Sequence, residues 1–240
     1  MKKGLTGTDL KWIAIITMLI DHIGALIVER AIIKFSVTKP GLCEQLSILD
    51  TVLRGIGRIA FPIFCFLLIQ GFIYTKNRIK YALRLLAFAF ISEIPFDFAF
   101  SGRAFYTGYQ NVFFTLFIGL VTIIFIDRIW EQQRFSKILR ISLCIVCAGI
   151  GFFGARFLGV DYGGRGIIAI LALYLFRRNL FEQALAGVIA FAWEFPAPFA
   201  FIPVFAYNGK RGKGNKYFFY VFYPLHLSVL YITAVLLGLV

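Results

Sequence analysis

The sequence predicts an all-α, polytopic integral membrane protein with about 8–10 transmembrane helices in one bundle. Of its 240 residues, 60% are hydrophobic and only 15% are charged, whereas a soluble domain is about 45–50% apolar and about 25% charged. The mean hydropathy is +0.83. No polar stretch is long enough for a separate soluble domain, so we expect residues 1–240 to form a single transmembrane domain in the cytoplasmic membrane.

The positive charge of the chain has a topological explanation. A formal net charge of +13 is also typical of nucleic-acid-binding proteins, but here the basic residues fall in short loops between apolar runs. Lysine and arginine are enriched in cytoplasmic loops of membrane proteins. With a cytoplasmic N-terminus and nine crossings, most of the 25 Lys and Arg residues lie on the cytoplasmic side. The expected partner is therefore the lipid bilayer and not nucleic acid.

Nine crossings follow from the apolar runs taken in order. Pro62 is expected to kink the second run, and Pro196 and Pro198 divide residues 180–207 into two short helices. In the polar turn at 161–165, Gly163 and Gly164 can supply positive φ angles. The expected crossings are 12–28, 56–74, 81–96, 111–126, 138–157, 166–176, two within 180–207, and 217–239.

One segment has the pattern of an amphipathic helix. Leu42, Leu46, Leu49 and Leu53 recur at helical spacing among polar residues. This pattern predicts a helix that lies on the membrane surface between the first two crossings.

Two familiar motifs are set aside. Residues 149–154 spell G-x-G-x-x-G, but they follow no predicted strand and lie in an apolar helix, where small residues permit close helix packing. The four cysteines are mostly within apolar runs and indicate neither a disulfide framework nor a zinc site. We therefore expect no metal.

The first apolar run contains an ionisable pair, Asp21 and His22. Charge at the centre of a bilayer costs at least a few kcal/mol, so such residues face protein or a water-filled cavity and indicate a functional site. The chain has only two histidines, and both His22 and His226 lie about 15 Å into their helices at about 1.5 Å per residue. We expect His22, Asp21 and His226 to be catalytic. The alternative is that they form hydrogen bonds that pack helices.

Further polar residues map to the outer half of the bundle, which predicts a polar cavity that opens outward with the histidines at its floor. Asp21, Glu93 and Asp161 are all possible carboxylate partners of His22. The alternative roles are interfacial snorkelling for the arginine and helix caps for the carboxylates. The residues expected to bind the substrate are Arg58, Glu93, Asp97, Asn111, Asp161 and Arg165.

Two basic loops would face the cytoplasm. Lysine and arginine pair well with phosphate, so these loops are candidates for binding the phosphates of a donor, although they also serve as simple topology signals. The candidate residues are Lys76, Arg78, Lys80, Lys210 and Arg211.

The chain resembles the TraX family over nearly its whole length. The motifs that carry the resemblance are DHIG at 21–24, RIAFPIF at 58–64, SEIPFD at 92–97, NVFFTL at 111–116, DYG at 161–163 and YPLHL at 223–227. The resemblance implies a multi-span bacterial inner-membrane protein, and the family's namesake is required for N-terminal acetylation of conjugative pilin subunits. The family is also distantly similar to polytopic acyltransferases that use acetyl-CoA, in which a histidine near the first helix, here His22, is the proposed catalytic residue.

Together these observations predict a membrane acetyl- or acyltransferase. Acetyl-CoA would be the cytoplasmic donor, His22 the general base or transient acyl carrier, and an amine or hydroxyl of a pilin or surface glycan the acceptor. A small proton-coupled transporter is an alternative, although no internal repeat supports it. The other alternative is a non-catalytic factor for appendage assembly, in which His22 and Arg58 would be dispensable.

Overall fold

The structure is a computed structural model that describes residues 4–240, so that Lys2 and Lys3, which contribute to the expected orientation, lie outside the described residues. Within this range it is helical. The helices are α1 Gly7–Ile23, α2 Glu29–Phe35, α3 Pro40–Gly57, α4 Ala60–Tyr74, α5 Arg78–Ser101, α6 Val112–Glu131, α7 Lys137–Phe157, α8 Gly163–Leu175, α9 Leu180–Ala190, α10 Phe201–Phe205 and α11 Lys216–Leu236. A π-helical segment, Gly24–Val28, joins α1 to α2, and a 3₁₀ turn, Ala197–Ala200, precedes α10.

The predicted class, an all-α polytopic membrane protein, is confirmed. In the described part of the chain, five helical stretches are long and apolar enough to cross a bilayer. These stretches are Gly7–Phe35, Pro40–Tyr74, Val112–Glu131, Lys137–Phe157 and Tyr217–Leu236. Helices α8 and α9 are shorter and apolar, and α5 extends about 36 Å at 1.5 Å per residue.

The chain alternates between two ends of the bundle. At one end, which we call the basic end, Gly7 N donates to Lys210 O at 2.8 Å, and Arg78 pairs with Asp127 at 2.6 Å. At the other end, Gln110 and Val160 form an isolated β-bridge. The first residues described therefore lie at the basic end and the C-terminus lies at the opposite end, which agrees with an odd number of passes.

The first two long stretches form a helical hairpin. Cys43 Sγ donates to Ile32 O at 3.6 Å, and Arg54 on α3 reaches Asp21 on α1, so α3 runs antiparallel to α2 and the π segment. At 1.5 Å per residue, Gly7–Phe35 is about 43 Å long, more than the roughly 30 Å of a bilayer core. The helix expected at residues 42–53 is present, but it packs as one arm of this hairpin instead of lying alone on the surface.

Proline and left-handed residues shape the ends of the helices near the cavity described below. The helix is interrupted at Arg58 and Ile59, in agreement with the expected kink, because the ring of Pro62 clashes with the carbonyl four residues before it. At 161–165 the left-handed residues are Tyr162 (φ 62°) and Gly163 (φ 47°), whereas Gly164 lies inside α8. The second residue with positive φ in this turn is thus Tyr162 and not, as the sequence predicts, Gly164.

Two glycines provide a test of the packing. A methyl group at Gly57 would overlap the Asp21 side chain, whereas one at Gly149 in α7 would meet open space. We expect Gly57→Ala to lower the free energy of unfolding by about 1–3 kcal/mol, the usual effect of overpacking. Gly149→Ala is expected to raise it by about 0.5–1 kcal/mol, because alanine favours helix. Thermal unfolding in detergent measures both, and equal effects would contradict this packing.

Candidate functional site

The two histidines of the chain meet. His22 on α1 and His226 on α11 are 204 residues apart, yet His22 Nδ1 lies 2.5 Å from His226 Nε2. Their rings are nearly parallel, at 8°, with centroids 4.8 Å apart. Phe100 and Tyr223 contact the His22 ring edge-on. His226 is 5% exposed, so the pair lies within the bundle and not at the lipid surface.

His22 borders a cavity of about 90 Å³, whereas His226 lies behind His22 and does not line the cavity. This volume is smaller than the roughly 150 Å³ apolar cavity that accommodates benzene, so it fits a group of a few heavy atoms. The walls come from the ends of several helices and combine charged residues with aromatic ones. The lining residues are Met18, Asp21, His22, Arg54, Gly57, Arg58, Ala60, Phe61, Phe64, Phe96, Phe100, Tyr109, Val112, Asp161, Tyr162 and Tyr223.

Asp21 is paired with an arginine rather than with its neighbour His22. Arg54 Nη1 donates to Asp21 Oδ2 at 2.7 Å, whereas Asp21 Oδ2 is 4.0 Å from His22 Nε2, too far for a hydrogen bond. The other carboxylate oxygen, Asp21 Oδ1, is buried and has no partner within the protein. The wall of the cavity thus holds an ion pair beside the free nitrogen of His22.

Arg54 is a site residue that sequence reasoning missed. It directly follows the segment, 42–53, that the sequence predicts as a surface helix, and it precedes the second expected crossing at 56–74. The signal that could have identified it is its spacing, because Arg54 and Arg58 are four residues apart and therefore lie on one helix face. Both line the cavity.

Arg58 pairs across the bundle with a carboxylate after α9. Arg58 Nη1 is 3.1 Å from Glu194 Oε1, and Tyr162 lines the same cavity as Arg58. The Tyr162 ring stacks on Phe61 with centroids 3.6 Å apart. A tyrosine with positive φ costs about 1–2 kcal/mol of backbone energy, and here that conformation holds the ring against the wall of the cavity.

Asp161 lies in the loop between α7 and α8 and is held by two donors. Tyr109 OH donates to Asp161 Oδ1 at 2.7 Å, and Tyr162 N donates to the same atom at 3.0 Å. Burial raises the pKa of the Asp161 carboxyl to about 6, although these hydrogen bonds oppose the shift. Burial likewise raises the pKa of Glu194 to about 7, against the effect of Arg58.

These two carboxyl groups should make stability depend on pH. Their folded pKa values exceed the ordinary 3.8 of Asp161 and 4.5 of Glu194, so the folded state holds more protons than the unfolded one. The free energy of unfolding should therefore fall as the pH rises from about 4 to 7, by roughly 3 kcal/mol for each group. We expect Glu194→Gln to flatten this dependence, as measured by thermal unfolding in detergent at a series of pH values. An unchanged slope would contradict the assignment to Glu194.

The other residues expected to bind substrate do not line the cavity. Asn111 caps α6 and donates to Glu93 and, at 2.8 Å, to Ala89 O. Asp97 Oδ2 accepts from Tyr106 N at 2.7 Å. The guanidinium of Arg165 lies 4.9 Å from the Trp193 ring centroid. Of the predicted substrate-binding set, the structure brings Arg58 and Asp161 to the cavity.

The predicted phosphate-binding residues lie at the basic end, away from the cavity. Arg78 is engaged by Asp127, whereas four others have exposed side chains, namely Lys76, Lys80, Lys210 and Arg211. His22 is 15 residues beyond the start of α1, which corresponds to about 22 Å. The two predicted sites are thus at different depths of one bundle.

Comparisons with known proteins point to one family. The family model described as "TraX protein" matches residues 6–234. The chain is 29% identical over 244 residues to "Probable fimbrial assembly protein FimC, serogroup H1" of Dichelobacter nodosus, which covers 92% of this chain and 93% of that protein. No solved structure matches the chain at a significant level. Among residues 4–240, no three His, Cys, Asp or Glu side chains are grouped as metal ligands would be.

Proposed function

Because this chain belongs to the TraX protein family, we propose that it is a pilus-related membrane enzyme that transfers an acetyl or other short acyl group to an amine or hydroxyl. The observation that carries this proposal is the contact of His226 with His22, which lines a polar cavity. Two imidazoles with an arginine–aspartate pair beside them are costly in a membrane and are kept there for function.

The histidine pair is suited to moving a proton. Histidine has an unperturbed pKa near 6.5 and is the side chain most often used as a general acid or base. In the proposed step, His22 Nε2 takes the proton of the acceptor as the acceptor nitrogen or oxygen bonds to the acyl carbon. The carbon–sulfur bond of the thioester breaks, and His22 returns the proton to the departing thiolate.

Acetyl-CoA is the proposed donor, and we place the basic end in the cytoplasm. Exposed Lys76, Lys80, Lys210 and Arg211 can pair with its phosphates there. Since His22 lies about 22 Å from that end, a donor bound in this way must extend its thioester arm along α1 toward the cavity. The size of the cavity, about 90 Å³, favours a short acyl group over a fatty acyl chain.

The proposed acceptor is a pilin subunit or a surface glycan. The similarity to a protein described as a probable fimbrial assembly protein supports a role in building surface appendages. The cavity is formed at the end of the bundle opposite the basic loops, by Arg58, Tyr109 and Asp161 among others. With the basic end in the cytoplasm, an acceptor would therefore arrive from the outer side.

The test is acyl transfer by the purified protein in lipid vesicles. Radiolabelled acetyl-CoA is supplied with separate candidate acceptors, namely a pilin N-terminal peptide, a glycan mixture and no acceptor. Label that moves to one acceptor supports the enzyme and identifies its substrate class. If no label moves to any acceptor or to the protein, and acetyl-CoA does not bind, the enzyme proposal is wrong and a transporter or a non-catalytic assembly factor becomes the better hypothesis.

A further inference from the structure

The hydrogen bonds around the histidine pair determine where its protons lie. His226 Nδ1 is 2.8 Å from the carbonyl oxygen of Phe222, one helical turn earlier on α11. A carbonyl oxygen can only accept, so the proton must be on His226 Nδ1. In a neutral imidazole the other nitrogen, Nε2, then has a free lone pair and is an acceptor.

The protonation of His226 in turn determines that of His22. His226 Nε2 faces His22 Nδ1 at 2.5 Å, and an acceptor requires a donor opposite it, so His22 Nδ1 carries the proton. In neutral His22 the remaining nitrogen, Nε2, is then unprotonated. That nitrogen is 4.0 Å from Asp21 Oδ2, beyond hydrogen-bond distance, and His22 borders the cavity.

We propose that the Phe222 carbonyl and the His226 imidazole fix His22 in the Nδ1-protonated tautomer, which leaves His22 Nε2 as the base that faces the cavity. His226 is then a positioning residue that acts through His22. This inference rests on the proposed function for the chemical role of His22, but the arrangement of protons stands on the geometry alone.

Both rings are neutral in this arrangement, because a second proton on a ring would create a buried cation with no carboxylate as its partner. If His226 were doubly protonated, a buried cation would face Phe222 O and His22 without a carboxylate, which burial disfavours. Asp21, whose Oδ2 lies 4.0 Å from His22 Nε2, is already paired with Arg54 at 2.7 Å. The Phe222 ring is at 15° to the His226 ring, and the His226 ring is at 8° to the His22 ring. This nearly parallel arrangement holds His226 Nε2 and His22 Nδ1 in line.

We call the hydrogen bonds from Phe222 O through His226 to His22 the relay. The relay stabilises the positive charge that forms on His22 during the reaction. When His22 Nε2 takes the proton of an acceptor, His22 becomes an imidazolium whose Nδ1–H already points at the lone pair of His226. A hydrogen bond to the charged form favours that form, and in a catalytic triad an aspartate provides this hydrogen bond. Here a neutral histidine provides it, so the pair needs no buried carboxylate as its partner.

The direct test is nitrogen NMR of protein labelled with ¹⁵N-histidine, in detergent at neutral pH. Only two imidazoles contribute signals, since the chain has two histidines. We expect both to show a protonated Nδ1 and an unprotonated Nε2. A signal from a protonated Nε2 on either ring would overturn the proposal, and this result requires no variant and no enzymatic activity.

Two substitutions of His226 separate positioning from packing. Gln can still accept from His22 Nδ1 through its amide oxygen, whereas Met is similar in size and its thioether sulfur is only a weak acceptor. We expect His226→Met to lower kcat by about 10- to 100-fold, the scale seen when a group that orients a histidine is lost, with KM for acetyl-CoA little changed. His226→Gln should recover most of that loss, and it should keep His22 Nδ1 protonated in the NMR spectrum.

The outcomes distinguish this inference from the proposed function. If acyl transfer is never observed but both rings are Nδ1-protonated, the relay stands and the enzyme proposal fails. If transfer occurs but His226→Met and His226→Gln have equal kcat, or the wild-type spectrum shows a protonated Nε2, the relay is wrong and the enzyme proposal remains. Thermal unfolding of each variant confirms that the comparison is made on folded protein.

Discussion

His22→Ala is expected to lower the rate of acyl transfer by about 10²- to 10⁴-fold, the usual contribution of a general acid or base. The physical reason is that the variant lacks the imidazole that takes the proton of the acceptor, and the Asp161 carboxyl at the same cavity already accepts two hydrogen bonds on Oδ1. Asp21 Oδ2 lies 4.0 Å from His22 Nε2 and is paired with Arg54, so it is poorly placed to substitute. The measurement is the initial rate with acetyl-CoA and the acceptor to which label moves in the transfer assay.

Ser228, which is two residues after His226 on α11, provides a matched control for His22→Ala. Ser228 Oγ donates to Pro224 O at 2.9 Å within α11 and does not line the cavity. Ser228→Ala should therefore retain the wild-type rate, while both variants should reach the membrane in similar amounts. A normal rate in well-folded His22→Ala protein would contradict a catalytic role for His22.

Arg54→Met is expected to have the largest effect on stability. The substitution leaves the Asp21 carboxylate, whose side chain is 16% exposed, without its partner at 2.7 Å. Breaking a buried ion pair in this way costs about 3–5 kcal/mol, and the 27% exposure of the Arg54 side chain places the expected loss near the lower figure. Cys65 is fully buried, so the temperature at which its thiol becomes reactive measures unfolding, in protein whose other three cysteines are replaced by serine.

Two further variants define the cause of this loss. Arg103 has an exposed side chain, so Arg103→Met should change stability by less than about 0.5 kcal/mol. Adding Asp21→Asn to Arg54→Met removes the unpaired charge and should restore part of the stability. A loss in Arg54→Met no larger than that in Arg103→Met would show that the Asp21–Arg54 pair contributes little.

The sequence predicted the class, the alternation of the chain and the similar depth of the two histidines. Each of these follows from a local quantity, because hydropathy, basic loops and the rise per residue of a helix can be read along the chain. A histidine inside an apolar run must find a polar neighbour, and the sequence indicates a carboxylate, Asp21, Glu93 or Asp161, as that neighbour of His22. In the structure the partner of His22 is His226, and the catalytic role of the two histidines stays a proposal.

The sequence did not predict which ions pair. Arg54 directly follows the segment predicted to lie on the surface, yet it reaches Asp21 because the π segment and α2 continue α1 for another 12 residues. The partners of Arg58 and Asp161 are Glu194 and Tyr109, which come from segments far along the chain. Such pairs depend on how helices rotate about their axes, and hydropathy gives no information on that rotation.

The separation of His22 and His226 along the chain also determines when their contact can form during synthesis. The ribosome completes Arg54 only 33 residues after Asp21, so the first hairpin can neutralise its own buried acid soon after it emerges. His22, by contrast, waits 204 residues for its neighbour on α11. A chain that stops before α11 would insert into the membrane without the histidine contact, so synthesis of the last helix completes that contact.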